Sequence, residues 1–170
     1  MPEGDTIYRA ARALQKAIGN KTVTAFDANV ATLASVADSK GIIGRTVEKV
    51  EARGKWCLIH FSAPVAGGDA LILVTHMLMS GSWHIYRVGE KWFSPRSSMR
   101  CVITTGDFLA VAFNVPVTEF HTERSLERYS QVPKLGVDIL SDAYDTDAGI
   151  AAMKTYTQTC LLYTSDAADE

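Results

Sequence analysis

Pro2 stands directly behind the initiator methionine, so removal of Met1 leaves a secondary amine at the chain terminus. An ordinary α-amino group has a pKa of ~8 and is partly neutral near pH 7. In that form it can attack a sugar C1′ and form an iminium without a separate activating base. Glu3 is next in the chain, where its carboxyl can move protons during such a reaction. Taken alone, a Pro-Glu start fits several chemistries. One is the nucleophile just described, and a second is the proline base of an N-terminal-proline tautomerase. The third is a non-catalytic β-sandwich binding module, in which Met1 is retained and the acylated proline nitrogen has no nucleophilic lone pair.

Two further clusters combine reactive or polar groups with turn chemistry. In Arg53-Gly54-Lys55 a cation follows a flexible glycine between two strand-like runs. A lysine so placed either presents its ammonium to a phosphate or is a solvated turn residue. In His76-Met77-Leu78-Met79-Ser80-Gly81-Ser82-Trp83 a strand runs into a loop rich in large apolar side chains. His76 there either contacts a phosphate or closes the strand, and Met79 is either an exposed apolar group or a core methionine. Cys57, Cys101 and Cys160 are odd in number and far apart, which suits reduced thiols. The chain has no C-x-x-C pair and therefore no zinc-finger half-site.

These residues need elements to hold them. Ile7, Ala10, Ala11, Leu14, Ala17 and Ile18 recur at helical spacing, which predicts an amphipathic helix over Asp5–Ile18 with Asp5 as N-cap and Gly19-Asn20 as stop. Alternating or β-branched runs predict strands over Thr22–Asp27, Thr46–Arg53, Trp56–Phe61, Leu71–Thr75, Ser82–Arg87, Arg100–Thr104, Phe108–Phe113 and Val117–His121. Turn residues separate them at Ala66-Gly67-Gly68-Asp69, Val88-Gly89-Glu90 and Thr105-Gly106-Asp107, as expected of antiparallel meanders. Val30–Ala37 reads as a short helix or a packed loop, and the polar stretch His121–Gln131 leaves the strand pattern. A second helical segment is expected around Asp147–Met153. The fold class is mainly β with helices (α+β): an antiparallel β-sandwich with an N-terminal amphipathic helix.

In this order along the chain, the start MPEGDT, the Arg53-Gly54-Lys55 turn, the His76–Trp83 segment and Leu135-Gly136-Val137-Asp138-Ile139-Leu140 resemble the formamidopyrimidine-DNA glycosylase and endonuclease VIII family. The resemblance implies a bifunctional DNA glycosylase/AP lyase of base excision repair. Pro2 would be the Schiff-base nucleophile, Glu3 the proton shuttle and Lys55 the essential hairpin lysine. Met79 would be the wedge that fills the gap left by a flipped nucleotide, with Met77 and Leu78 as co-wedges and His76 as a further DNA contact. Formamidopyrimidine glycosylases carry an intercalating arginine where this chain has Asn114-Val115-Pro116-Val117-Thr118-Glu119-Phe120. The missing arginine implies the endonuclease VIII branch and oxidised pyrimidines.

The expected organisation is a catalytic sandwich over 1–125, a linker over 126–141 and the start of a helix–two-turn–helix domain over 142–159. The closing residues Cys160–Glu170 resemble a translated transposon-end sequencing adapter, so the chain is expected to be truncated and weak or inactive by itself. No cofactor is expected in it, and zinc only in a C-terminal finger beyond it. With 17 Lys plus Arg against 19 Asp plus Glu the chain is slightly acidic, an objection to nucleic-acid binding that loses force once Asp166, Asp169 and Glu170 are set aside. No apolar run approaches the ~20 residues of a membrane span, and no signal-peptide layout is present. The expected partner is damaged double-stranded DNA, met by a cytoplasmic, nucleoid-associated monomer.

Overall fold

The computed structural model describes residues 4–65, 67–129 and 145–155. They fall into two compact units, divided after Leu135. The first opens with α1, Gly4–Ile18, which buries Ile7, Ala11, Leu14, Ala17 and Ile18 along one stripe. Asp5 lies inside the first turn, beside Arg9, rather than capping it. The helix stops where expected. Asn20 turns left-handed at φ 57°, and a Cβ at Gly19 would sit 2.4 Å from the Gln15 carbonyl oxygen, so only glycine fits there.

Two four-stranded antiparallel sheets follow. One has the order β1 (Ala25–Ala28), β6 (Met99–Thr105), β7 (Phe108–Phe113), β5 (Ser82–Arg87). The other has the order β2 (Val47–Arg53), β3 (Trp56–Phe61), β4 (Leu71–His76), β8 (Val117–His121). The run predicted over Thr22–Asp27 is divided between the two. Val23 donates its N–H to the Arg45 carbonyl and Thr22 bridges to Thr46, beside the second sheet, whereas Thr24 already donates to Thr104 in the first. The chain thus changes sheets within a few residues, and β1 begins only at Ala25.

Both remaining ambiguous stretches contain a helix among the described residues. Helix α2, Ala31–Lys40, ends at the left-handed Gly41 and buries Leu33 and Ala37. Helix α3, Glu123–Arg128, starts with a capping box in which Thr122 and Ser125 each satisfy the other's backbone N–H. Serine in place of the usual glutamate at the third helical position made that box hard to see in the sequence.

The principal core lies between the sheets, where Val50, Ile59, Phe61, Leu73, Ile103, Ala110 and Ala112 meet. Helix α1 touches β2 and β3 of one sheet and β5 and β7 of the other, while α2 touches β1 and β8. Each helix therefore closes one open side of the sandwich where two sheet edges face each other. Gln15 of α1 also accepts the Val50 N–H at 2.6 Å, satisfying a backbone donor on the edge strand β2. A buried polar link ties the sheets together: Trp83 Nε1 donates to Thr75 Oγ1, which donates to the Cys57 carbonyl. Burial pushes the Cys57 and Cys101 thiols up to about 12, so both are protonated, unreactive core groups.

Arg45 is the most unusual core residue, at 4% exposure. Its guanidinium donates to the carbonyls of Lys40, Gly41, Ser62 and Asp69 at 2.6–3.0 Å, tying the end of α2 to the loop that follows β3. The second unit contains α4, Thr146–Thr155, whose first N–H groups at Asp147 and Ala148 are capped by the Asp145 carboxylate. The helix expected around Asp147–Met153 is therefore present and slightly longer.

Replacing Arg45 by methionine keeps the aliphatic bulk but strips four carbonyls of their donor. The carbonyls belong to exposed or half-buried residues that water can reach, so each lost hydrogen bond costs about 0.5–1.5 kcal/mol. Arg45→Met should therefore lower stability by about 2 kcal/mol or more, read as a shift in the urea midpoint at unchanged m-value.

Candidate nucleic-acid interface

The β2–β3 hairpin turns through Gly54 and Lys55, since Arg53 pairs directly with Trp56. A two-residue hairpin asks for positive φ at its first central residue, and Gly54 supplies it at 58°. Lys55 is thus displayed at the tip of a tight turn, half-buried. Behind it, Lys49, Glu51 and Arg53 alternate on one face of β2, with His60 of β3 alongside. Glu51 is the hub: it pairs with Lys49, accepts from His60 at 3.0 Å and lies 3.8 Å from Arg53. The His60 hydrogen bond, helped by Lys49 and opposed by burial, holds the Glu51 carboxyl down to about 2.

Strand register carries this hairpin to the second cluster. Trp56 pairs with His76, and His76 pairs with Val117 on its other side, so the Gly54-Lys55 turn, the Met77–Gly81 loop and the Asn114–Pro116 loop share one end of the sandwich. The His76 ring stands edge-on to Trp56, with centroids 4.6 Å apart. Its Nδ1 accepts the Leu78 N–H at 3.1 Å, which requires that nitrogen to be unprotonated. Burial first, and the positive charge of Lys55 second, hold the His76 pKa below the ordinary histidine value.

The loop itself is tightly built. Gly81 donates its N–H to the Met77 carbonyl at 2.8 Å, and a Cβ on Gly81 would meet that oxygen at 2.5 Å and the Val115 Cα at 3.0 Å. Glycine is required by this close approach of two loops. Met77 is 2% exposed and belongs to the principal core, whereas Leu78 and Met79 are 47% and 69% exposed. Leu78 has φ 46°, a left-handed backbone that costs a non-glycine residue about 1–2 kcal/mol. One ordinary hydrogen bond, such as that to His76, is worth ~1 kcal/mol and offsets most of it.

The structure thus brings Lys55, His76, Leu78 and Met79 together at one surface and withdraws Met77 into the core, away from the co-wedge position the resemblance implied for it. Pro2 and Glu3 lie outside the described residues, as do Leu135–Leu140 and Cys160–Glu170. Among the described residues no cluster of His, Cys, Asp and Glu is placed to hold a metal ion, and no helix is long and apolar enough to cross a membrane.

Comparison with known proteins identifies the family and the fold. Residues 1–118 match the model of the formamidopyrimidine-DNA glycosylase N-terminal domain. The chain belongs to the formamidopyrimidine-DNA glycosylase and endonuclease VIII family. Among family members, the probable endonuclease 8 2 of Streptomyces coelicolor is 34% identical over 151 residues, covering 88% of this chain and 50% of that protein. The DNA-(apurinic or apyrimidinic site) lyase Nei2 of Mycolicibacterium smegmatis is 32% identical over 145 residues, covering 85% and 51%. The Lactococcus lactis formamidopyrimidine-DNA glycosylase, solved with DNA containing N7-benzyl-Fapy-dG, superposes with a TM-score of 0.61 over 76% of this chain and 47% of that one, at 16% identity. That likeness confirms the fold of two antiparallel sheets with an N-terminal helix. The chain spans about half the length of the curated relatives it matches.

Sequence reasoning missed Glu51, His60 and Trp56. The i, i+2, i+4 charges on β2 were visible, but their convergence on one carboxylate depends on the partner strand.

Because the Glu51 carboxyl is depressed in the folded protein, its contribution is complete above the ordinary glutamate pKa and fades as pH falls towards 2. Glu51→Gln should therefore cost stability at pH 7 and progressively less below pH ~4, so the two proteins' urea midpoints should converge on acidification. A gap that stays constant down to pH ~2 would show that the ion cluster contributes nothing.

Proposed function

We propose that the whole protein is a bifunctional DNA glycosylase and AP lyase acting on oxidised bases in double-stranded DNA. The observation that carries this reading is the meeting of a hairpin-tip lysine, Lys55, with two exposed apolar side chains, Leu78 and Met79, at one end of a sandwich of this family. The names of the relatives, an endonuclease 8 and an AP lyase, support it.

In this reading the Pro2 amine attacks C1′ of the damaged nucleoside. The C1′–N bond breaks and Glu3 supplies the proton that accompanies base departure or ring opening. The resulting iminium makes the C2′ proton acidic. Its loss expels the 3′ phosphate by β-elimination, and water then releases Pro2. Lys55 neutralises a phosphate next to the lesion, and the Nε2 side of His76 offers a second donor. Met79, with Leu78 beside it, enters the space vacated by the flipped nucleotide, while Met77 supports the loop from within. The absence of arginine in 114–120 favours oxidised pyrimidines. The tautomerase alternative calls for a strand beginning at the proline, yet α1 already begins at Gly4.

Flipping costs a few kcal/mol and bending the duplex ~1–6 kcal/mol more, which contacts on both sides of a lesion must repay. A chain spanning half its relatives' length supplies only part of that grip, so this stretch alone turns over DNA weakly. Zinc, in this reading, belongs to the half not spanned.

Borohydride reduction in the presence of excess abasic-site DNA should trap a covalent adduct, and acetylating the terminal amine should abolish it. Trapping that survives acetylation would exclude Pro2 as nucleophile. Lys55→Ala should weaken DNA binding and reduce the slope of log K against log salt by about one unit. An unchanged slope would make Lys55 a solvated turn residue.

A further inference from the structure

We infer that His76 is a positioning residue for the wedge loop. Its unprotonated Nδ1 accepts the Leu78 N–H and so holds the left-handed turn that displays Leu78 and Met79. The inference deepens the reading above and rests on it for the word wedge, but the anchor itself belongs to the free protein.

The geometry assigns the two ring nitrogens different work. Nδ1 accepts from Leu78, two residues further along its own chain, which leaves the ring proton on Nε2. The ring plane is fixed by the edge-on contact with Trp56. The carbonyl of the same Met77–Leu78 peptide accepts the Gly81 N–H, so this one peptide unit is held from both sides, by Gly81 at its oxygen and by His76 at its N–H. Protonating Nδ1 replaces an acceptor by a second donor, facing the Leu78 N–H, and breaks the bond.

The charged surroundings favour the neutral ring. From the β2–β3 turn, Lys55 opposes a positive charge on it. From β3 the neighbour is Trp56, and across β4–β8 the register partner is Val117. The nearest carboxylate along β8, Glu119, is engaged with His121. The anchor therefore holds at neutral pH and releases below the ordinary histidine range.

Leu78 amide exchange in the free chain tests this directly. The protection factor should drop about fivefold, the equivalent of one ordinary hydrogen bond, as pH falls through the His76 titration. Asn places Oδ1 near the position of Nδ1, so His76→Asn should keep the protection and make it independent of pH. Gln mimics the Nε2 side, so His76→Gln should lack it at every pH. Lys55→Met, which leaves His76 in place, should move the wild-type transition to higher pH. Protection that ignores the His76 titration, or is equal in the Asn and Gln variants, would overturn the anchor.

A second measurement separates the anchor from the wedge reading. With 2-aminopurine opposite an abasic-site analogue, insertion of the loop should brighten the probe for wild type and His76→Asn, and less for His76→Gln. An anchor confirmed by exchange with no difference in the probe would sink the wedge assignment alone. If Gln rather than Asn supports the probe signal, His76 acts on DNA through Nε2 as a phosphate contact and the anchor plays no part in insertion.

Discussion

The register that sets β4 between β3 and β8 governs the working end of this molecule. With Trp56, His76 and Val117 side by side, three short connections emerge at one end of one sheet. Register here is specified from both faces. Cys57, Ile59 and Phe61 fill the space between the sheets, while Trp56 and Leu58 lie under α3 with Leu126 and Tyr129. A slip of one residue would turn His76 towards the space between the sheets and exchange Leu71 and Leu73 with Ile72 and Val74 between the two clusters. A surface held this way resists distortion, which is what the proposed contact with a bent duplex would require.

Much of this was legible in the sequence because period-two alternation bounded by turn residues is a local signal. Trp56–Phe61, Ser82–Arg87 and Phe108–Phe113 form strands over the residues their patterns mark. What was not legible is non-local. The change of sheet between Val23 and Thr24 depends on which partner each backbone group finds. Arg45, in sequence an ordinary charged residue after a glycine, is buried because two nearby carbonyls, of Lys40 and Gly41, and two from beyond β3, of Ser62 and Asp69, converge on it. In the loop, His76-Met77-Leu78-Met79 announced apolar bulk but not its direction. The close approach of Gly81 to the Met77 backbone folds the loop back on itself, sending Met77 inward and leaving its two successors outside.

Net charge was a poor guide to the same surface. The chain as a whole is slightly acidic. Local arrangement matters more, because a phosphate within a Debye length of ~10 Å responds to the groups beside it rather than to the total. Glu51 remains ionised through the physiological range and gathers Lys49, Arg53 and His60 around one anion. That keeps the hairpin's cations ordered and the strand face near balance, while Lys55 stands one turn further out.

The hairpin lysine then has a dual consequence. A cation placed to meet a phosphate also raises the cost of a second positive charge nearby, and His76 is the group that feels it. Neutral His76 can accept a hydrogen bond from its own chain; charged His76 cannot. The electrostatics suited to binding a polyanion thus also keep the apolar loop in the conformation that displays Leu78 and Met79. Phosphate contact and loop geometry are coupled through one imidazole. In the proposed reading a phosphate bound at Lys55 would make protonation of His76 easier, so the anchor would be firmest before DNA arrives, when no duplex contacts are available to hold the loop in place.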